Sequence, residues 1–163
     1  MKIEELRFEH LSGLNKLLNS IAAEGVWTVN KRKTFKERVR WFESYKRERR
    51  RGNRIVLVCV EQNEIIGSAS AVRQEGKRSH VWEIGYQVKK EYRSRGVGSL
   101  LVKRLIEFLR KRGAKEVIAW VTETNEASIN LLKKFNFEKV GKIRKGVRLS
   151  NRYCDYLLFQ KEL

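Results

Sequence analysis

Three stretches of this 163-residue chain carry residue types at spacings that could do chemistry. The first is Arg93-Ser94-Arg95-Gly96-Val97-Gly98, followed by Ser99. Glycine lets a backbone come close to another molecule and take dihedrals that other residues avoid. A helix that begins just after such a turn points free N–H groups and a positive dipole end outward. Both features suit a phosphate, so the stretch reads as a pyrophosphate cradle opening a helix. Its spacing is neither G-x-x-x-x-G-K-[S/T] nor G-x-G-x-x-G, which argues against a P-loop and against a dinucleotide-binding turn. The second is Glu83, alone among the apolar residues of V-W-E-I-G-Y-Q-V, Val81 to Val88. A carboxylate in such a run needs a reason. It is either a general base or an outward-facing, solvated strand residue. The third is Asn125 with Ser128, where an asparagine opens a helix and an N-cap is the ordinary explanation.

The elements that must position these residues follow from periodicity. Val81–Val88 has strand composition. Apolar residues then recur at Val97, Leu101, Leu105 and Phe108, widened by Val102, Ile106 and Leu109, the broad face of an amphipathic helix. Upstream, Lys2 to Phe8 reads as a strand and Leu11 to Ile21 as a helix, with a break over Glu24 to Asn30. Thr34 and Glu37 form a capping-box pattern ahead of a helix over Phe35 to Arg49, which Gly52-Asn53 ends. Ile55–Val60 and Glu64–Val72 form a hairpin around Gln62-Asn63. Downstream, Arg112-Gly113 stops the long helix, and the nearly all-apolar Glu116–Val121 suits a strand covered on both faces. A helix follows Asn125, then strands over Phe137–Val147 and Tyr153–Phe159. The order β-α-α-β-β-β-α-β-α-β-β predicts a single domain of α/β or α+β class, a mixed sheet of about seven strands with about four helices.

Composition narrows the class further. Hydrophobic residues make up 41% of the chain, enough for a core. Lys and Arg number 37 against 19 acids, a net charge of +18. That charge suits polyanionic partners, nucleic acid among them, or the ion-pair networks of a heat-stable protein. The run Lys46 to Arg51 is the densest part of it, read as a solvated helix end or a polyanion contact. Cys59 and Cys154 sit in apolar runs and read as core thiols. His10 and His80 are too few and too isolated for a metal site. No run of about 18 apolar residues is present, and the N-terminus carries acids where a signal peptide is apolar. The expected compartment is cytoplasmic.

The turn resembles the R/Q-x-x-G-x-G/A signature of the GNAT superfamily of N-acetyltransferases, matched at Arg93, Gly96 and Gly98. A second segment, Asn125 to Phe137, is similar to the family's N-x-x-A/S-x-x-L-Y-x-x-x-G-F pattern at Asn125, Ser128, Leu131 and Phe137. The element order is that of the family as well. The resemblance implies acetyl-coenzyme A as cosubstrate, no metal, and direct transfer to a primary amine, whether a small amine, an amino acid or a protein N-terminus. It assigns cofactor contacts to Val88, Arg93, Ser94, Arg95, Gly96, Val97, Gly98, Ser99, Asn125 and Ser128, with a backbone N–H near Val88 meeting the thioester oxygen. By the same resemblance Glu83 acts as base. Leu132 stands where the family's proton-donating tyrosine is usual, so Tyr153 or Tyr156 is expected to stand in. Acceptor contacts are expected from Glu24 and Trp27. A basic nucleic-acid- or polyanion-binding module on the same scaffold, with little catalysis, is the alternative. A homodimeric state is left open.

Overall fold

A computed structural model describes residues 1–26, 28, 31–150 and 152–163. Its frame is a seven-stranded sheet in the order β1-β2-β3-β4-β5-β7-β6, from strands Lys2–Glu5 (β1), Arg54–Glu61 (β2), Glu64–Arg73 (β3), Val81–Val88 (β4), Glu116–Thr122 (β5), Glu138–Leu149 (β6) and Arg152–Glu162 (β7). Four α-helices accompany it: Leu11–Glu24 (α1), Phe35–Arg50 (α2), Val97–Lys111 (α3) and Glu126–Lys134 (α4). This is the α+β order that the sequence predicts.

Alternation along the strands sorts the two faces. On β2, Ile55, Leu57 and Cys59 enter the main core with Leu101, Leu105 and Leu109 of α3. Val56 and Val58 turn to the other face and pack with Leu14 and Leu17 of α1 and with Phe42 and Tyr45 of α2. Period-two side chains and the 3.6-residue helix stripe thus meet as two layers of helix on one sheet. Both cysteines are free and buried, as a core role requires.

Every neighbouring pair is antiparallel except β4 and β5, which are parallel and joined by the crossover helix α3. That pair is short. Val81–Ile84 face Glu116–Ala119 and the ladder stops there. Yet β4 continues to Val88 against β3, and β5 to Thr122 against β7. The sheet is therefore split open along its middle, just before the basic turn.

Local differences from the sequence reading have plain causes. α1 runs on to Glu24, because Ala22, Ala23 and Glu24 are good helix formers and Gly25 takes the left-handed stop at φ 66°. β1 ends at Glu5, and Phe8–His10 forms a 3₁₀ turn in which Phe8 meets the edge of Phe42 at 5.9 Å between ring centroids. The capping box at Thr34 and Glu37 forms as the pattern predicts. In the basic run, Lys46 pairs with Glu43, Arg49 with Glu5 and Arg51 with Glu48, so half of its six residues already hold a carboxylate.

Candidate active site

The split between β4 and β5 opens into a cavity of about 920 Å³ that reaches from the turn before α3 to Glu83 and Tyr156. At its turn end, Ser94 (φ 61°) and Gly96 (φ 82°) both adopt left-handed backbone, and Gly96 is the N-cap of α3. The first helical bond is Leu100 N–H to the Gly96 carbonyl, 3.0 Å. The N–H groups of Val97, Gly98 and Ser99 therefore have no acceptor within the helix and sit at its positive end. The Val97 side chain is buried in the core, so only its backbone can serve a ligand. A Cβ on Gly98 would lie 3.0 Å from Leu131 Cδ2, which makes this glycine a packing requirement between α3 and α4 as well as a cavity wall. Arg95 lies over the Tyr92 ring at 5.4 Å and is not part of the lining.

Arg93 donates from Nη1 and Nη2 to the two carboxylate oxygens of Glu24, at 2.7 and 2.6 Å, and from Nε to the Val88 carbonyl at 3.1 Å. Arg93 and Glu24, expected at opposite ends of the reaction, hold each other. Glu24 is thereby turned to the turn before α3 and is not part of the cavity lining. Trp27, the other residue expected at the acceptor, lies outside the described residues.

The backbone of β4 explains how the gap is lined. Lys89 N–H donates to the Ile66 carbonyl of β3 at 2.8 Å, and Val88 faces Gly67. In an antiparallel ladder these bonds alternate, so the N–H groups of Val88 and Tyr86 turn away from β3 toward the gap. Across the gap, the Asn125 side chain accepts from Ser128 N–H at 3.1 Å and caps α4. The Tyr86 hydroxyl bridges to Ser128, 2.6 Å from its Oγ. Burial pushes the Tyr86 phenol up to about 12. Leu132 is fully buried in the core and takes no part in the cavity.

At the far end, half-buried Glu83 lines the cavity beside Tyr156. Burial first, and then the Glu83 charge, raises the Tyr156 phenol above its ordinary value. Tyr156 stacks on Trp120 with centroids 5.0 Å apart. The structure does not bring Tyr153 here. It is 60% exposed on β7 and outside the lining. Tyr86, Trp120 and Arg54 are among the lining residues not singled out from sequence. The aromatics lie inside apolar strand runs, and Arg54 stands between the Gly52-Asn53 break and the strand that begins at Ile55. No local pattern shows that they border a gap between strands far apart in sequence. Among the described residues no cluster of potential metal ligands occurs.

Comparison with known proteins agrees with this geometry. Residues 19–137 match the acetyltransferase (GNAT) family, and the chain belongs to it. An acetyltransferase of Pectobacterium atrosepticum is 33% identical over 95 residues, 58% of this chain; the chain spans 65% of that relative's length. An L-methionine sulfoximine/L-methionine sulfone acetyltransferase of Pseudomonas paraeruginosa is 30% identical over 126 residues, 76% of this chain and 71% of the relative. Among solved structures, a ribosomal-protein-alanine N-acetyltransferase from Brucella melitensis superposes with TM-score 0.88 at 27% identity, covering 100% of both chains.

Proposed function

We propose that the protein transfers the acetyl group of acetyl-coenzyme A to a primary amine. The observation that carries this reading is the cavity itself, continuous from the free N–H groups of α3 through the open sheet to Glu83. When bound, acetyl-coenzyme A supplies an activated acyl group. The chain's own residues supply the rest. The α3 N-terminus, Ser94 and Gly96 take the pyrophosphate. Val88 N–H, turned into the gap, is the donor offered to the thioester oxygen. An amine attacks only when neutral, whereas a free α-amine has a pKa of ~8 and a lysine amine ~10.4. Glu83 accepts that proton. The amine nitrogen bonds to the acetyl carbon, the carbon–sulfur bond breaks, and a phenol of the cavity wall, Tyr86 or Tyr156, protonates the departing thiolate.

Two of the relatives named above are an L-methionine sulfoximine/L-methionine sulfone acetyltransferase and a ribosomal-protein-alanine N-acetyltransferase. Both names point to acceptors of amino-acid type, which supports an amine acceptor here. The test combines calorimetry of acetyl-coenzyme A binding with an acetyl-transfer screen over free amino acids, polyamines and peptides with open N-termini. No detectable heat of acetyl-coenzyme A binding together with no transfer to any amine overturns the proposal.

A further inference from the structure

Arg54, Val72 and Glu83 stand in one row across three strands: Arg54 faces Val72 on β2 and β3, and Val72 faces Glu83 on β3 and β4. Directly opposed residues share a face of the sheet, and all three line the cavity. Two strand spacings put the Arg54 and Glu83 backbones about 10 Å apart. The acceptor end is thus a floor with a cation at one side, an anion at the other and an apolar residue between.

The cation is unusual in what it lacks. The Arg54 Nε is buried without a hydrogen-bond partner. Among the described residues no carboxylate pairs with its guanidinium, and Glu48, whose charge bears on it after that of Tyr45, already holds Arg51 and Asn53. An arginine cannot shed its proton to escape this, and burying a charge without a partner is costly. Elsewhere in the chain, half-buried arginines such as Arg49 and Arg93 grip carboxylates with two nitrogens each. Arg54 is instead held against the Trp41 ring, 5.5 Å from its centroid. The same ring carries Arg38 at 5.3 Å, a buried cation whose side chain reaches Asn15 and no acid. The region is positive, desolvated and short of an anion.

We infer that Arg54 receives a carboxylate of the acceptor, which makes that acceptor a free α-amino acid or a close amino-carboxylate analogue. A planar guanidinium matches a carboxylate with two parallel hydrogen bonds. An α-amino acid brings that carboxylate together with the amine Glu83 is placed to deprotonate. A polyamine would set a second cation against Arg54. A protein N-terminus would offer only an amide carbonyl. The inference rests on the acetyltransferase reading above and selects among its acceptors.

The test compares each of several free amino acids, L-methionine and L-phenylalanine first, with its own carboxamide as acceptor. A charge-assisted bond of this kind corresponds to roughly a 10- to 100-fold preference in kcat/KM for the acid. Arg54→Met should bring that ratio close to one, chiefly through KM, while acetyl-coenzyme A binding by calorimetry keeps its affinity. Its Tm should hold or rise, since an uncompensated buried charge has gone. Arg54→Lys should retain part of the preference. A wild-type protein that acetylates amides as well as acids overturns the inference. So does a preference that survives Arg54→Met, or an Arg54→Met protein with lowered Tm and equal losses on both acceptors. Failure of the acetyltransferase reading looks different: no acetyl-coenzyme A heat and no transfer from the wild type to any amine, which removes this inference with it.

Discussion

Arg93 and Glu24 are joined by two hydrogen bonds of 2.7 and 2.6 Å, and the same arginine reaches the Val88 carbonyl. One side chain therefore ties the C-terminal end of α1, the end of β4 and the turn before α3 into a unit. Both partners are about a quarter exposed, at 23% each, so the pair is desolvated enough to count. Glu24→Gln and Arg93→Gln should each destabilise the fold, and the double variant should be little worse than either. Denaturant unfolding of the four proteins should give a coupling of about 1–2 kcal/mol. Additive losses would show that the two side chains act independently.

The two glycines of the turn should fail differently. Gly96→Ala meets open space but forces a side chain into left-handed backbone, at a cost of ~1–2 kcal/mol. Gly98→Ala has ordinary backbone and instead presses on Leu131. Both should weaken coenzyme A binding by calorimetry. Enlarging the space with Leu131→Ala should restore binding to Gly98→Ala and do nothing for Gly96→Ala.

Glu83→Gln should lower turnover by ~10²–10⁴-fold near neutral pH, the usual contribution of a general base. Coenzyme A affinity should stay put, because Glu83 is at the opposite end of the cavity from the α3 N-terminus. Activity of the variant should recover as pH rises and more of the acceptor amine is already neutral. Full activity at pH 7 would remove Glu83 from the reaction.

Tyr86→Phe and Tyr156→Phe separate the two candidate proton donors, and the one that slows turnover most names the group that protonates the thiolate. Tyr86 also carries a stability signature. Its phenol is pushed up to about 12 in the fold, as is that of buried Tyr45. An unfolded tyrosine titrates near ~10. Between about pH 10 and pH 12 the unfolded chain thus loses protons that the folded chain keeps. Stability is fully present below that window and falls through it, by up to ~1.4 kcal/mol per pH unit for each tyrosine. Urea unfolding across the window should show a shallower decline in Tyr86→Phe and in Tyr45→Phe than in the parent.

The turn before α3 and the helices beside it were legible in the sequence because their signals are local. Two glycines, a helix stripe and an N-cap asparagine lie within a few residues of the groups they position, and strand β4 was read from Val81 to Val88 as it occurs. Asn136, at the place of a family glycine, takes φ 59° as an asparagine can. The far end of the cavity, around Glu83 and Tyr156, was less legible. Tyr153 and Tyr156 are three residues apart on one strand, and only register against β5 tells which one faces the cavity. Glu24 looked available because its partner, Arg93, is 69 residues away. Nothing near Arg54 in the sequence marks it until β2, β3 and β4 are laid side by side.

The opening in the sheet is made of backbone, by the early end of the four-residue ladder between β4 and β5. Changing one side chain can narrow or reshape such an opening, but it cannot zip two strands that have already diverged. The gap between the two strands is consequently protected against drift in the sequence. The walls at Arg54, Trp120 and Tyr156 carry no such protection, since they sit on separate strands and can be exchanged one at a time. Relining the cavity is a matter of a few residues, whereas closing its opening would require a different topology.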